Sequence, residues 1–221
     1  MAERRATIWD LPIRLFHWGL VLCLAGSWYT AENDMLDQHV LFGYAALTLL
    51  LFRLVWGLVG SDTARFRSFV RGPAEAVAHL RALLRPGPLD AHAGHNPLGG
   101  YAVLGLLGLL AVQVGTGLFI SGGDIFLVAG PLNGFVSGTL ADRLATVHEI
   151  SFALLQVLVV VHVLAIALYA LVKRRNLVRP MLTGTGAIGA DDPQPRIVSP
   201  LWALMIAALA AGSVWALSLL A

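Results

Sequence analysis

Charge is what this chain has least of. Only 13% of its 221 residues are Asp, Glu, Lys or Arg, while 57% are hydrophobic and the mean hydropathy is +0.76. Soluble domains carry roughly 25% charged residues, so the composition excludes a water-soluble globule. So apolar a chain cannot stay solvated as a disordered one either. Cysteine is almost missing. Cys23 stands alone, which excludes an internal disulfide, a four-cysteine zinc site and a C-x-x-C-H attachment site. There is no glycine-rich phosphate loop and no internal repeat, and no nucleic-acid partner is expected.

Long apolar runs fill the space that charge leaves. A membrane-spanning helix needs about 20 mostly apolar residues, and five stretches qualify: Ile13 to Ala31, His39 to Gly60, Leu98 to Ile120, Leu144 to Val172 and Val198 to Leu220. The first runs on through Trp28 and Tyr29 without a small-x-small cleavage site, so it is expected to be retained. Of the 15 basic residues, all but Arg143 precede or open the first span, lie near the end of the second, or fall in the two loops 61–97 and 173–197. The positive-inside rule then makes the N-terminus and both loops cytoplasmic. The opposite face carries Glu32, Asp34, Asp37, Asp124, Asp142 and Glu149, an acidic surface suited to a basic partner. An amphipathic helix around Ala74 to Leu84 is expected at the membrane surface, and residues 181–197, rich in Gly, Pro and Asp, read as a flexible linker. The expected protein is an all-α, multi-pass integral membrane protein.

Ionisable residues inside a bilayer are costly and usually functional. Four of the seven histidines lie in spans or at their edges: His17, His39, His148 and His162. His148 and His162 are fourteen residues apart, about 1,400° of helical rotation, so they face nearly the same way about 21 Å apart along one axis. Depth pairs His39 with His148 on the outer side and His17 with His162 on the inner side. Two stacked bis-histidine sites in an apolar bundle are what two haems b require, bound without covalent attachment. A lone membrane histidine is more often a packing or proton-path residue, but four at matching depths favour ligation. A zinc or copper site would need three or four ligands clustered at one depth. Arg53 follows His39 by fourteen residues and suits a haem propionate. Arg14, one turn before His17, is a second such residue, with snorkelling to lipid headgroups as the alternative.

The opening W-D-L-P-I-R-L-F-H-W, Trp9 to Trp18, resembles the first-helix signature of the bacterial cytochrome b561-type membrane cytochromes. That group includes the cytochrome b subunits of nickel–iron hydrogenases and the membrane subunit of formate dehydrogenase. The stretch from His148 through His162 to K-R-R-N-L-V-R-P-M-L-T-G is similar to the group's ligand-bearing fourth helix and basic tail. The resemblance covers residues 7–184. It implies a four-helix transmembrane bundle with two haems b, passing electrons between a quinone pool and a redox partner on the outer face. His17 and His162 would hold the inner haem, and His39 and His148 the outer one.

The expected organisation is therefore a dihaem domain over residues 1–184, a cytoplasmic linker over 185–197 and an additional helix over 198–221. That fifth helix holds no ionisable residue, and Ala207, Ala208, Ala211 and Gly212 are expected to let it pack closely on a neighbour. Gly94 to Gly100 leads into the third span, where His95 and Asn96 are candidates for a quinone site. Asn96-Pro97 also reads as a helix start. His79 and His92 read as loop residues. Partners beyond lipid and quinone are expected to be a periplasmic redox protein or cytochrome, in a transient or stable complex. The alternatives are a stand-alone oxidoreductase, such as one oxidising superoxide, and a proton channel using the histidines as relays.

Overall fold

The computed structural model describes residues 3–85, 87, 93–121 and 129–220. In chain order these form strand β1 (Glu3–Thr7) and helices α1 (Leu11–Glu32), α2 (Leu36–Val59), α3 (Phe66–Phe69), α4 (Pro73–Leu84) and α5 (Pro97–Gly117). They continue with α6 (Gly138–Leu171), α7 (Val178–Thr183), strand β2 (Thr185–Gly189) and α8 (Pro200–Ser218). Helices α1, α2, α5, α6 and α8 are each long and apolar enough to cross a membrane. Their outward side chains are apolar, as lipid solvation demands: Val157, Val160 and Leu164 of α6 are all more than half exposed. The five expected spans are these five helices. Helix α6 begins at Gly138, six residues before the expected start. Its 34 residues extend about 51 Å, well beyond an apolar core of about 30 Å, so its polar first turns with Asp142 and Arg143 lengthen the helix without entering the apolar run.

The chain divides into two compact units. The first comprises Met1–Leu15, Leu54–Gly105 and Leu158–Ala203. Its core contains Ile8, Trp9, Trp56, Ala64, Phe69 and Ile188, all buried. Asp10 starts α1: its Oδ1 accepts the Ile13 N–H at 2.7 Å, the bond an N-cap carboxylate makes to the third helical residue. Its Oδ2 accepts the indole N–H of Trp56 at 3.0 Å, and Trp56 is 0% exposed. The aspartate of the W-D-L-P motif thus ties the start of α1 to the end of α2. Gly184 ends α7 with φ of +84°, and its carbonyl accepts the N–H groups of Ile8 and Trp9. A Cβ there would lie 2.9 Å from the Trp9 oxygen, so both the turn and the close approach require glycine.

Residues 185–197, expected as a linker, are partly ordered pairing. Strand β2 pairs antiparallel with β1, Glu3 opposite Gly189 and Thr7 opposite Thr185. The Glu3 carboxylate meets the Arg175 guanidinium at 2.6 Å, and Arg4 donates to the carbonyls of Ala190 and Asp192. Asp62 and Ser61 accept the Arg196 and Val198 N–H groups. The composition of this segment suggested looseness; backbone partners from the N-terminus and from the end of α2 remove it.

Amphipathic α4 falls where it was expected, with Ala76 buried and Val77, Leu80 and Leu84 exposed. Its C-terminal end is held by Lys173, only 4% exposed, whose ammonium donates to the carbonyls of Arg85 at 2.5 Å, Gly87 at 3.3 Å and Ala82 at 3.4 Å. The last carbonyls of a helix lack intrahelical partners and carry partial negative charge, and the buried cation satisfies both needs. Replacing Lys173 with Met keeps the apolar stem and removes the donors. Local opening of α4 should then become easier by about 1–3 kcal/mol, read as faster hydrogen exchange at residues 80–85 while the rest of the chain keeps its protection.

The second unit comprises Phe16–Arg53, Leu106–Val157 and Leu204–Ala221. Here α1 turns into α2 over three residues, with Asp34 in the left-handed region at φ 56° and the Met35 N–H returning to the Thr30 carbonyl at 2.8 Å. So short a connection makes the two helices antiparallel neighbours. They pack closely at Gly26, where a Cβ would come within 2.4–2.8 Å of the Phe42 ring. Trp28 of α1 packs on Phe152 of α6 with ring centres 6.5 Å apart, and α5 meets α6 at Gly117, where a Cβ would lie 3.2 Å from His148 Cε1. In α8 the buried row is Ala203, Ile206, Ala210 and Val214, whereas Ala208, Ala211 and Gly212 are exposed. The small-residue face expected to pack is thus displaced around the helix, because α8 buries a mixed row of small and branched residues.

Candidate functional site

The second unit brings His39 and His148 together. Their ring centres are 6.4 Å apart with planes at 70°. An imidazole nitrogen binds a metal at about 2 Å, with the ring centre about 1 Å further back, so two imidazoles on opposite faces of one metal have centres roughly 6 Å apart.

Hydrogen bonds then decide which nitrogen of each ring is available. His39 Nδ1 lies 2.8 Å from the Ser27 carbonyl, and His148 Nδ1 lies 2.9 Å from the Gln113 carbonyl. A carbonyl only accepts, so each Nδ1 carries the proton and each Nε2 keeps its lone pair. Metal-ligating histidines are oriented in this way, with the second nitrogen donating to a carbonyl or carboxylate. The hydroxyls of Ser27 and Thr116 support the same two nitrogens at 3.2 Å and 3.1 Å. His148 Nε2 receives the side-chain amide of Gln113 at 2.8 Å, and the other end of that amide accepts from Ser151 at 2.5 Å. Ligation at Nε2 would exchange the Gln113 bond for a metal bond.

Both rings line an apolar cleft walled by Leu24, Tyr44, Leu110, Val114 and Leu118. Gly43 also lines it, and a Cβ there would meet nothing within 4 Å. The lone pair left on each Nε2, the ring separation and the side-chain-free wall at Gly43 fit a haem held by His39 and His148. Among the described residues no group of three or more His, Cys, Asp and Glu is placed to hold a metal ion, which disfavours a zinc centre.

The other expected site residues are distributed as follows. His17 belongs to the second unit, its ring edge-on to Trp18 at 4.9 Å, and His162 belongs to the first. Arg53 is 2% exposed in the second unit; a guanidinium stays charged wherever it is buried. Arg14, in the first unit, donates through Nη1 to the Leu182 carbonyl, and its Nε is buried with no hydrogen-bond partner among the described residues. His92 and Asp124 lie outside the described residues.

In the first unit, His95 sits between two aromatic rings, 4.7 Å from Trp9 and 4.8 Å from Phe69. Asn96 caps α5, its Oδ1 accepting the Gly99 N–H at 2.7 Å. The helix-start reading of Asn96-Pro97 therefore holds. Its Nδ2 donates to the Tyr169 hydroxyl at 2.8 Å, and that hydroxyl lies 2.7 Å from His79 Nε2. Sequence reasoning places neither Tyr169 nor Gln113 at a site, and His79 lies on α4, the helix expected within the inner loop. Gln113 does carry a signal, as a polar side chain in the otherwise apolar run from Val103 to Val114.

A family model described as prokaryotic cytochrome b561 matches residues 8–184 of the chain. No curated protein and no solved structure matches it.

Proposed function

Since this chain belongs to the prokaryotic cytochrome b561 family, we propose that it is a dihaem cytochrome b exchanging electrons between membrane quinone and a periplasmic redox partner. The family makes it a haem b protein of a prokaryotic membrane, and its five apolar helices make it multi-pass. The observation that carries the finer reading is the His39–His148 pair, each ring presenting Nε2 while Nδ1 is committed to a carbonyl. A haem held by both imidazoles would leave no position for a substrate and would supply single-electron exchange. For the second haem, the depth argument assigns His17 and His162 as ligands and Arg53 and Arg14 as propionate partners. The N-terminus is assigned to the cytoplasm by the basic loops.

The second unit exposes Glu32, Asp34, Asp37, Asp142 and Glu149. Such a surface steers a basic protein partner toward it and repels an anion such as superoxide. Quinone exchange is assigned to the His95–Asn96 turn at the cytoplasmic edge, where an aromatic box and polar groups meet. The purified protein should yield two haems b per chain by pyridine haemochrome, all extractable with acidified acetone, and a short-chain quinol should reduce them. One haem per chain, any covalent haem, or haems indifferent to quinol would overturn the reading.

A further inference from the structure

Quinol oxidation releases protons as well as electrons, and iron takes only the electrons. Building on the proposed quinone reaction, we propose that Tyr169 and His79 form its proton relay.

The direction of the chain follows from counting donors. The Gly99 N–H can only donate, so the Asn96 atom facing it is the amide oxygen and the atom facing Tyr169 is the amide NH₂. The Tyr169 oxygen therefore accepts from Asn96. In the relay its own hydrogen points to His79 Nε2 at 2.7 Å, the tautomer in which Nε2 holds the lone pair. The polarity runs one way, from Asn96 through Tyr169 to His79. The helix cap sets its first bond, since reversing Asn96 would place its NH₂ against the Gly99 N–H.

This is the arrangement of a base reached through a hydroxyl. Tyr169 is 7% exposed, whereas His79 is partly exposed on α4, whose Val77 and Leu80 face outward. One end of the relay is therefore inside the first unit and the other is at its surface. Oxidation of a quinol breaks two O–H bonds and releases two electrons and two protons. As an electron leaves for the haems, a quinol O–H proton passes to the Tyr169 oxygen while the Tyr169 hydrogen passes to His79 Nε2. The imidazolium then loses Nδ1–H to water, and the second proton follows the same path. Lys173 places its ammonium at the end of α4 and Arg81 follows His79 by two residues, and Glu75 lies four residues before His79. In these steps Tyr169 touches the substrate, and His79 is a positioning residue acting through it.

The test uses the full-length haem-loaded protein in lipid nanodiscs, with haem reduction by a short-chain quinol followed by stopped flow. Tyr169→Phe and His79→Gln should each slow the limiting rate about a hundredfold or more, the lower end of the range for general acid–base groups. The quinol concentration at half-maximal rate should change far less, and dithionite should reduce the haems as before. The double variant should be no slower than the slower single one, as for groups in series. The native protein should react more slowly in heavy water. Nitrogen-15 spectra should show His79 Nε2 as an acceptor in the native chain and altered in Tyr169→Phe. Variants reacting at the native rate, or equal native rates in light and heavy water, would overturn the relay and leave the quinone reading standing. Native haems that ignore quinol would instead overturn the quinone reading beneath it. Should Tyr169→Phe not assemble, the heavy-water comparison on the native protein decides.

Discussion

Replacing His148 with Ala should lower the haem content from two haems b per chain to one, and His39→Ala should leave the same residual spectrum. The expectation rests on how the pair is built. Each ring is fixed by a carbonyl of a different helix, Ser27 of α1 for His39 and Gln113 of α5 for His148, so removing one ring does not free the other to find a substitute. The cleft stays apolar around the gap, and an alanine at 148 leaves the Gln113 amide without its acceptor. Such a half-site loses its group entirely, as metal sites do when a ligand is deleted and no side chain replaces it. Two haems retained after either substitution, or different residual spectra from the two variants, would sink the pairing.

Asp10→Ala should produce the largest loss of stability, about 2–4 kcal/mol. The sum has two parts. Losing an N-cap costs typically about 1 kcal/mol, and leaving the fully buried Trp56 indole N–H without an acceptor costs about 1–3 kcal/mol. Asp10→Asn should be milder, because its amide oxygen still caps α1, although its NH₂ then faces the indole donor. Thermal unfolding followed by circular dichroism should rank native above Asn above Ala. An alanine variant that melts with the native protein would show that water takes over both contacts. The effect is expected to be large against a total of about 5–15 kcal/mol for a typical domain.

How much of this was readable before the structure depended on the range over which each signal acts. The spans were, because a run of 20 apolar residues is a local fact that lipid alone explains. The histidine pairing was suggested by arithmetic on one helix, since residues fourteen apart in α6 repeat a direction. The polar network of the first unit was not. His79 and Tyr169 are 90 residues apart, and no spacing rule connects α4 with the end of α6. Strands β1 and β2 were equally hidden: E-R-R-A-T and T-G-A-I-G are short, with charge in one and glycine in the other, and neither has the alternation that marks a strand. Asp10 was not singled out from the sequence, although an aspartate immediately before a leucine-proline helix start carries the signal of a cap. Its second bond, to Trp56, came only from the fold.

The β1–β2 ribbon joins residues 186 apart, from Arg4 to Ala190. A ribosome releases the N-terminal strand first and its partner only after four of the five spans have been made. Until then Ile8 and Trp9 have no Gly184 carbonyl to donate to, and the start of α1 rests on Asp10 and the end of α2. Closing so long a loop is slow compared with forming neighbouring helices. The first unit is therefore completed late in synthesis, when the tail of α6 arrives to fasten the beginning of the chain. Any peptide fused ahead of Glu3 would be carried to that junction, beside Gly189 and Asp192, so the two strands share one seam.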